Sequence, residues 1–313
     1  MKVLSAAEVD AALTPARMVA ALAAAFRVET TTPPRHLHTL PDPAGDATLL
    51  LMPAWDAEHL VVKVLTLHPG NAARGLATFQ GGVLLSERAT GLPLALVDAP
   101  RLTLWRTAGA SALAARYLAR PDTSRLLMVG AGALAPFMIR AHAAERPLRE
   151  IAIWNRRPDP ARALAASLAA EGLPARAVEN LEAAARAADL ICCATLSEVP
   201  LVRGAWLAPG THLDLVGAFT PQMREADDAA LQRASVYVDT PDALAKGGDV
   251  AVAVASGALA AEAVRGDLAG LCRGTVAGRS RPEEITVFKS VGAALEDLAA
   301  AVAVWRHAEG RAA

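Results

Sequence analysis

After the apolar run LLMV stands Gly130-Ala131-Gly132-Ala133-Leu134-Ala135, a G-x-G-x-x-A pattern opening a helical stretch. The first glycine permits a tight turn, the second lets backbone close on a pyrophosphate, and the third small residue lets helix and strand pack, with phosphate on the helix N-terminus. The competing reading is a plain strand, turn and helix. A second strand reading follows at the expected distance and ends in Trp154-Asn155-Arg156-Arg157. An NAD-selective site usually carries Asp or Glu there for the ribose 2′-hydroxyl. A carboxylate would repel a 2′-phosphate, whereas Asn155 can hydrogen-bond it and two guanidiniums can bind it, so the turn favours NADPH, with NADH also possible. A solvated basic turn is the alternative. Two further cations stand out because they interrupt apolar elements: Lys63 inside a strand-like run and Arg106 early in a helical one. Buried cations need an anion, either a ligand's carboxylate or an internal ion pair, unless the side chain snorkels to water.

These residues need a scaffold. Ser5 with Glu8 reads as a capping box and Thr14-Pro15 as a second helix start, ahead of Met18, Leu22 and Phe26 on one stripe. Four β-type runs follow, Thr48 to Trp55, His59 to Leu67, Phe79 to Ser86 and Leu92 to Val97, with turn residues between them. They predict an antiparallel meander. An Ala-rich helix from Thr103 ends before Pro121, and residues 121–124 make the best internal boundary. Beyond it short buried runs alternate with helical stretches: LLMVG, EIAIWN, a weak ARAV, DLICCAT, HLDLVGAF and SVYVDT. That rhythm predicts a parallel sheet with helices on both faces. ITVFKSVG then reads as a last strand leading into a helix over Ser290 to His307.

Composition limits the partners. With 313 residues, 53% hydrophobic and 20% charged, the chain has room for two domains and a sizeable core. A net charge of −1 offers no basic field for nucleic acid. The longest suspect run, Val250 to Ala261, is far short of the ~20 residues of a spanning helix, so no membrane association is expected. Glu8 and Asp10 stand where an export signal would be apolar, which makes the cytoplasm the expected compartment. Cys192, Cys193 and Cys272 suit neither a disulfide framework nor metal-ligand spacing and read as packing residues; no metal is expected.

Taken together, PPRHLH around Arg35, LLLMPAW at 49–55, VVKVLTLHPGN at 61–71, TGLPLALVDAPRLTLWRTAGASALAA at 90–115, VGAGALA at 129–135 and ITVFKSVG at 285–292 resemble the ornithine cyclodeaminase/mu-crystallin family. The resemblance spans nearly the whole chain. It implies an α/β protein in which a Rossmann-type doubly wound parallel sheet, residues 119–290, is inserted in a smaller α+β substrate-binding and dimerisation domain, residues 1–118 completed by 291–313. It also implies a homodimer, whose interface would cover the edges of the 48–97 meander. By resemblance Arg35, Lys63 and Arg106 bind a substrate carboxylate, Lys63 serves catalysis, and Thr107 contacts cofactor phosphate. The expected cofactor set also takes in Ala194, Thr195, Val216 and Gly217. His68 ends the Lys63 strand and either faces the pocket or is structural.

One departure narrows the reaction. Cyclodeaminases and related alanine dehydrogenases carry a catalytic Asp just after a Val-Gly motif, where this chain has Phe219 in Val216-Gly217-Ala218-Phe219-Thr220-Pro221. Leu50 likewise replaces an acid that cyclodeaminases carry before LMP. Ammonia chemistry needs proton transfers suited to a positioned carboxylate, but reduction of a preformed cyclic imine does not. The resemblance is therefore to the ketimine-reductase branch, acting on Δ1-pyrroline-2-carboxylate and its six-membered homologue with NADPH or NADH. The alternatives are an ornithine cyclodeaminase or amino-acid dehydrogenase, and a mu-crystallin-like NADPH-binding protein with little turnover.

Overall fold

Both capping signals at the start of the chain are realised in the computed structural model, which describes residues 1–42 and 45–311. Pro43, Ala44, Ala312 and Ala313, all in the expected substrate-binding domain, lie outside the described residues. After β1 (Lys2–Leu4), Ser5 caps α1 (Ala6–Ala12): its hydroxyl accepts from the Glu8 amide, and its own amide donates to the Glu8 carboxylate at 2.7 Å. The Thr14 hydroxyl accepts from the Arg17 amide at 3.2 Å and starts α2 (Pro15–Ala25).

The chain divides into two compact units, Met1–Thr107 with Ala293–Ala313, and Ala108–Gly292. In the first, β2 (His36–Leu40), β3 (Ala47–Trp55), β4 (His59–Leu67), β5 (Phe79–Glu87) and β6 (Pro93–Asp98) form one sheet with β1. Its order is β1-β6-β5-β4-β3-β2, antiparallel except for the β1–β6 pair. The four-stranded meander expected from the sequence is thus extended at both edges. β2 escaped notice because all five of its residues are exposed, which leaves no apolar alternation to read. The C-terminal helix Ala294–Ala308 packs on α1, α2 and one face of this sheet. Along β4, His59, Val61, Lys63 and Leu65 alternate on the buried side, so the cation stands in a row of core residues.

α3 (Ala99–Leu118) begins four residues before the expected Thr103, because the Asp98 carboxylate accepts from the Arg101 amide at 2.7 Å and Pro100 fits a first turn. The division between the units falls within this helix rather than at residues 121–124.

The second unit is a parallel sheet built from β7 (Arg125–Val129), α4 (Ala135–Glu145), β8 (Glu150–Trp154), α5 (Pro158–Ala170), β9 (Ala175–Ala177), α6 (Leu181–Ala187), β10 (Leu190–Cys193) and β11 (His212–Leu215). It continues through α7 (Asp228–Gln232), β12 (Ser235–Val238), α8 (Ala243–Lys246), α9 (Gly248–Ala255), β13 (Val264–Asp267), α10 (Leu268–Arg273) and β14 (Thr286–Lys289). Strand order is β13-β12-β14-β11-β10-β7-β8-β9. From β7 the chain builds outward through β8 and β9, then returns to place β10 and β11 on the other side. With right-handed crossovers this reversal covers both faces and opens a crevice between the C-terminal ends of β7 and β10, as in doubly wound folds. The sequence reading lacked β13 and α10, which are short and weakly patterned, and began the last helix four residues early. Residues 290–292 are instead held by Asp239, one of whose oxygens accepts from the Val291 and Gly292 amides at 2.7 and 2.6 Å. All three cysteines are buried. Among the described residues no helix is long and apolar enough to cross a membrane.

Candidate functional site

The glycine pattern lies in that crevice. Gly130 has φ +109°, and a Cβ there would come within 2.7 Å of the Ala194 carbonyl oxygen in the turn after β10, so glycine is required on both counts. At Gly132 a Cβ would meet nothing within 4 Å: the second glycine faces open space, where a side chain would fill a phosphate's place. Ala135 is buried at the start of α4 and lets helix and strand approach. Ala131, Ala133 and Leu134 complete the turn. These features fit a dinucleotide pyrophosphate, with the amides of Gly132, Ala133 and Leu134 ahead of α4 as donors, since Pro136 has no N–H and the Ala135 and Phe137 amides are bonded to the Gly132 and Leu134 carbonyls.

Asn155 does more than the sequence suggested. Its Oδ1 accepts from the Ala131 amide at 3.3 Å and its Nδ2 donates to the Arg157 carbonyl at 2.9 Å, so it joins the end of β8 to the glycine turn. Arg156 and Arg157 follow on the exposed turn into α5. Ala194, Thr195, Val216 and Gly217 end β10 and β11, and Gly217 is sterically obligatory, since a Cβ would fall 2.0 Å from the Thr195 carbonyl oxygen. Thr195 and Gly217 share a partner that the sequence reading missed: Glu225, whose carboxylate accepts from both their amides, at 2.6 and 2.7 Å.

Phe219 is half-buried, its amide bonded to the Gly217 carbonyl at 3.0 Å. Asp214, the nearest upstream acid, cannot replace the missing Asp. It is fully buried and accepts from the Ser111 hydroxyl at 3.1 Å, with His142 Nε2 at 3.3 Å and Cys192 Sγ at 3.5 Å from its other oxygen. His142, Cys192 and Asp214 have the donor types of a metal site, a convergence from distant segments that the sequence reading did not see.

In the first unit, Lys63 and Arg106 are brought together by the C-terminal helix. Lys63 Nζ lies 2.7 Å from Asp297 Oδ2; Arg106 Nη1 lies 2.6 Å from Glu296 Oε2, and its Nε 3.4 Å from Asp297 Oδ1. All four side chains are buried. The anions that the two cations needed are thus present within the protein, and the sequence reading missed them. The signal was there: adjacent acids in the first turn of an alanine-rich helix that is otherwise core. Burial pushes the Lys63 ammonium down to about 8, Asp297 opposing and Arg106 reinforcing the shift. Thr107, next on α3, is also buried. Arg35 is half-buried in the segment leading into β2, and His68 is half-buried at the end of β4.

The sequence matches the ornithine cyclodeaminase/mu-crystallin family over residues 1–312. It is 42% identical over 277 residues to the Δ1-pyrroline-2-carboxylate reductase of Paracoccus denitrificans, covering 84% of this chain and 87% of that protein. The fold superposes on the Thermococcus litoralis Δ1-pyrroline-2-carboxylate reductase in complex with NADH and L-proline with a TM-score of 0.93, at 29% identity and 99% coverage of both chains. An archaeal alanine dehydrogenase dimer with bound NAD gives 0.92, at 31% identity, covering 99% of this chain and 96% of that one. Matched by the family over residues 1–312 and by a relative 42% identical across most of both chains, the chain belongs to the ornithine cyclodeaminase/mu-crystallin family.

Proposed function

We propose that this protein reduces the cyclic imine Δ1-pyrroline-2-carboxylate to L-proline, using a nicotinamide cofactor, and accepts the six-membered homologue to give L-pipecolate. The observation that carries this choice within the family is Phe219, an apolar ring where ammonia-handling relatives need a carboxylate. Similarity to a reductase named for this substrate supports it independently.

In this reading Arg35, Lys63 and Arg106 bind the substrate carboxylate, and Thr107, the 130–134 turn, Asn155, Ala194, Thr195, Val216 and Gly217 bind the cofactor. A nicotinamide held there would supply the hydride for the ring carbon of the C=N bond, with a proton going to the nitrogen. The chain's own task is to orient the imine and hold its carboxylate. Glu296 and Asp297 fix Arg106 and Lys63 before substrate arrives and balance their charge. Recognition then rests on directional hydrogen bonds more than on net attraction. Such a site suits a substrate that is itself balanced, a carboxylate next to a protonated imine. Lys63, on a strand and still cationic at neutral pH, serves catalysis by holding the carboxylate and a water that passes its proton to the nitrogen.

Arg156 and Arg157 support NADPH as the preferred cofactor. The outward face of the first sheet carries Val62, Leu84 and Leu96 in register across three strands, with Val64 exposed beside them. This apolar face, and not the edges of the meander, which β1 and β2 of the same chain already pair, supports a homodimer in which a second copy covers it. Light scattering at micromolar concentration tests that assembly, and a monomer would refute it.

The activity is tested by following NADPH and NADH oxidation with each cyclic imine, with pyruvate plus ammonia, and without substrate. Fast oxidation with the imines alone is expected. Fast oxidation with pyruvate and ammonia would favour an amino-acid dehydrogenase, and none with any substrate would favour a binding protein.

A further inference from the structure

Glu225 lies between β11 and α7 and is fully buried, yet four donors from two loops converge on its carboxylate. Oε1 accepts from the Thr195 amide at 2.6 Å and the Thr195 hydroxyl at 2.8 Å; Oε2 accepts from the Gly217 amide at 2.7 Å and the Ala218 amide at 3.3 Å. One side chain therefore ties the turns leaving β10 and β11. Those turns stand at the C-terminal edge of the sheet, where ligands of doubly wound folds bind. Glu225 is held in turn by Asp249 at the start of α9, whose Oδ1 accepts from the Glu225 and Ala226 amides at 2.7 and 2.9 Å.

The charges around this carboxylate come from three elements. Lys289 of β14 and Asp249 of α9 face each other at 3.2 Å, both fully buried, and largely neutralise one another. Cys193 of β10 is kept a neutral thiol, because burial and the charges of Glu225 and Asp249 push its pKa well up. Glu225 is left as the unbalanced charge of the group.

We propose that Glu225, in its ionised form, is a positioning residue that shapes the 194–195 and 216–218 turns to receive the nicotinamide end of the cofactor. The inference rests on the dinucleotide reading above. A carboxylate can accept from every donor that faces it, whereas a carboxylic acid turns one oxygen into a donor, which meets an N–H or O–H that cannot accept. Burial, with the charge of Asp249, pushes the Glu225 carboxyl up to about 7 against the pull of Lys289 and the Thr195 hydrogen bonds, so the change falls within the working range of pH. The buried negative charge also favours an oxidised, cationic nicotinamide ring over a reduced, neutral one. A role confined to holding the fold would not distinguish the two.

The test is fluorescence titration of the unaltered protein and of Glu225→Gln with NADPH and NADP+ across neutral pH. For the unaltered protein, affinity is expected to fall as pH drops through 7, more for NADP+ than for NADPH. At alkaline pH Glu225→Gln should bind NADPH about tenfold more weakly, the order of one charge-assisted hydrogen bond, and NADP+ more weakly still, and its pH dependence should be gone. Asp249→Asn provides a second route that leaves Glu225 in place: with a negative neighbour removed, the inflection should move to lower pH. If Glu225→Gln keeps the pH profile of the unaltered protein, or if Asp249→Asn leaves the inflection unmoved, the proposal is wrong although the protein binds cofactor. If the unaltered protein binds neither nucleotide, the dinucleotide reading falls and the proposal with it.

Discussion

Lys63 Nζ and Asp297 Oδ2 face each other at 2.7 Å with both side chains sealed from water, on a strand and a helix more than two hundred residues apart in sequence. Burial alone would drive the ammonium to give up its proton, and the carboxylate resists this. A charged Lys63 near neutral pH therefore depends on Asp297.

Asp297→Asn should move the alkaline limb of the activity profile. Lys63 has a folded pKa of about 8, below the ordinary lysine value, so its charge is present below that pH and lost above it. If the cation is needed for turnover, kcat/KM should fall above about pH 8 in the unaltered protein. Removing the partner that opposes the shift should bring this fall to lower pH. An unchanged alkaline limb in Asp297→Asn would show that Lys63 does not govern turnover.

Loss of Lys63 should be more damaging than loss of Arg35. On the proposed reading Lys63 acts at the reacting centre, so Lys63→Ala should lower kcat and kcat/KM together, by about 100-fold. It also leaves Asp297 buried beside Arg106 alone, which should cost several kcal/mol of stability, on the order of 3. Arg35→Ala should chiefly raise KM, by about tenfold. Steady-state kinetics with the cyclic imine separate the two, and equal losses of kcat would overturn this division of labour.

Replacing Arg156 and Arg157 together with Ala should raise KM for NADPH by about tenfold or more and change KM for NADH little, because only NADPH carries the 2′-phosphate. Equal rises for both cofactors would mean that the turn does not read that phosphate.

Phe219→Asp should not improve imine reduction, since a carboxylate there would oppose the one on the substrate. It should allow slow amination of pyruvate, and the unaltered protein should release no ammonia from L-ornithine. Steady ammonia release by the unaltered protein would undo the assignment. Thr220 would then be the nearby group to test, since Asp214 is locked in its buried network.

The parts of this molecule that announce themselves locally were legible in its sequence. The capping box at Ser5, the glycine turn and the alternation of strand and helix each arise within a few residues of chain. Lys63 and Arg106 were legible as anomalies, charged groups in apolar elements. Their partners were harder to see, because Asp297 reaches Lys63 only once the last helix docks on the first sheet. Glu225 gave no signal at all, since its importance lies in donors that only the fold brings to it, from Thr195 after β10 and from Gly217 and Ala218 after β11. β2 was missed for the opposite reason: a fully exposed strand has no buried face to imprint a pattern.

Asn155 gives the cofactor turn a practical property. Because its Oδ1 supports the Ala131 amide, an aspartate in its place would keep that acceptor and give up only the bond to the Arg157 carbonyl. The same carboxylate would repel a 2′-phosphate and accept from a 2′-hydroxyl. If the turn prefers NADPH as proposed, the residue that braces it stands one substitution from the opposite preference, which makes position 155 a place where selectivity can be redesigned, or can drift, without rebuilding the loop.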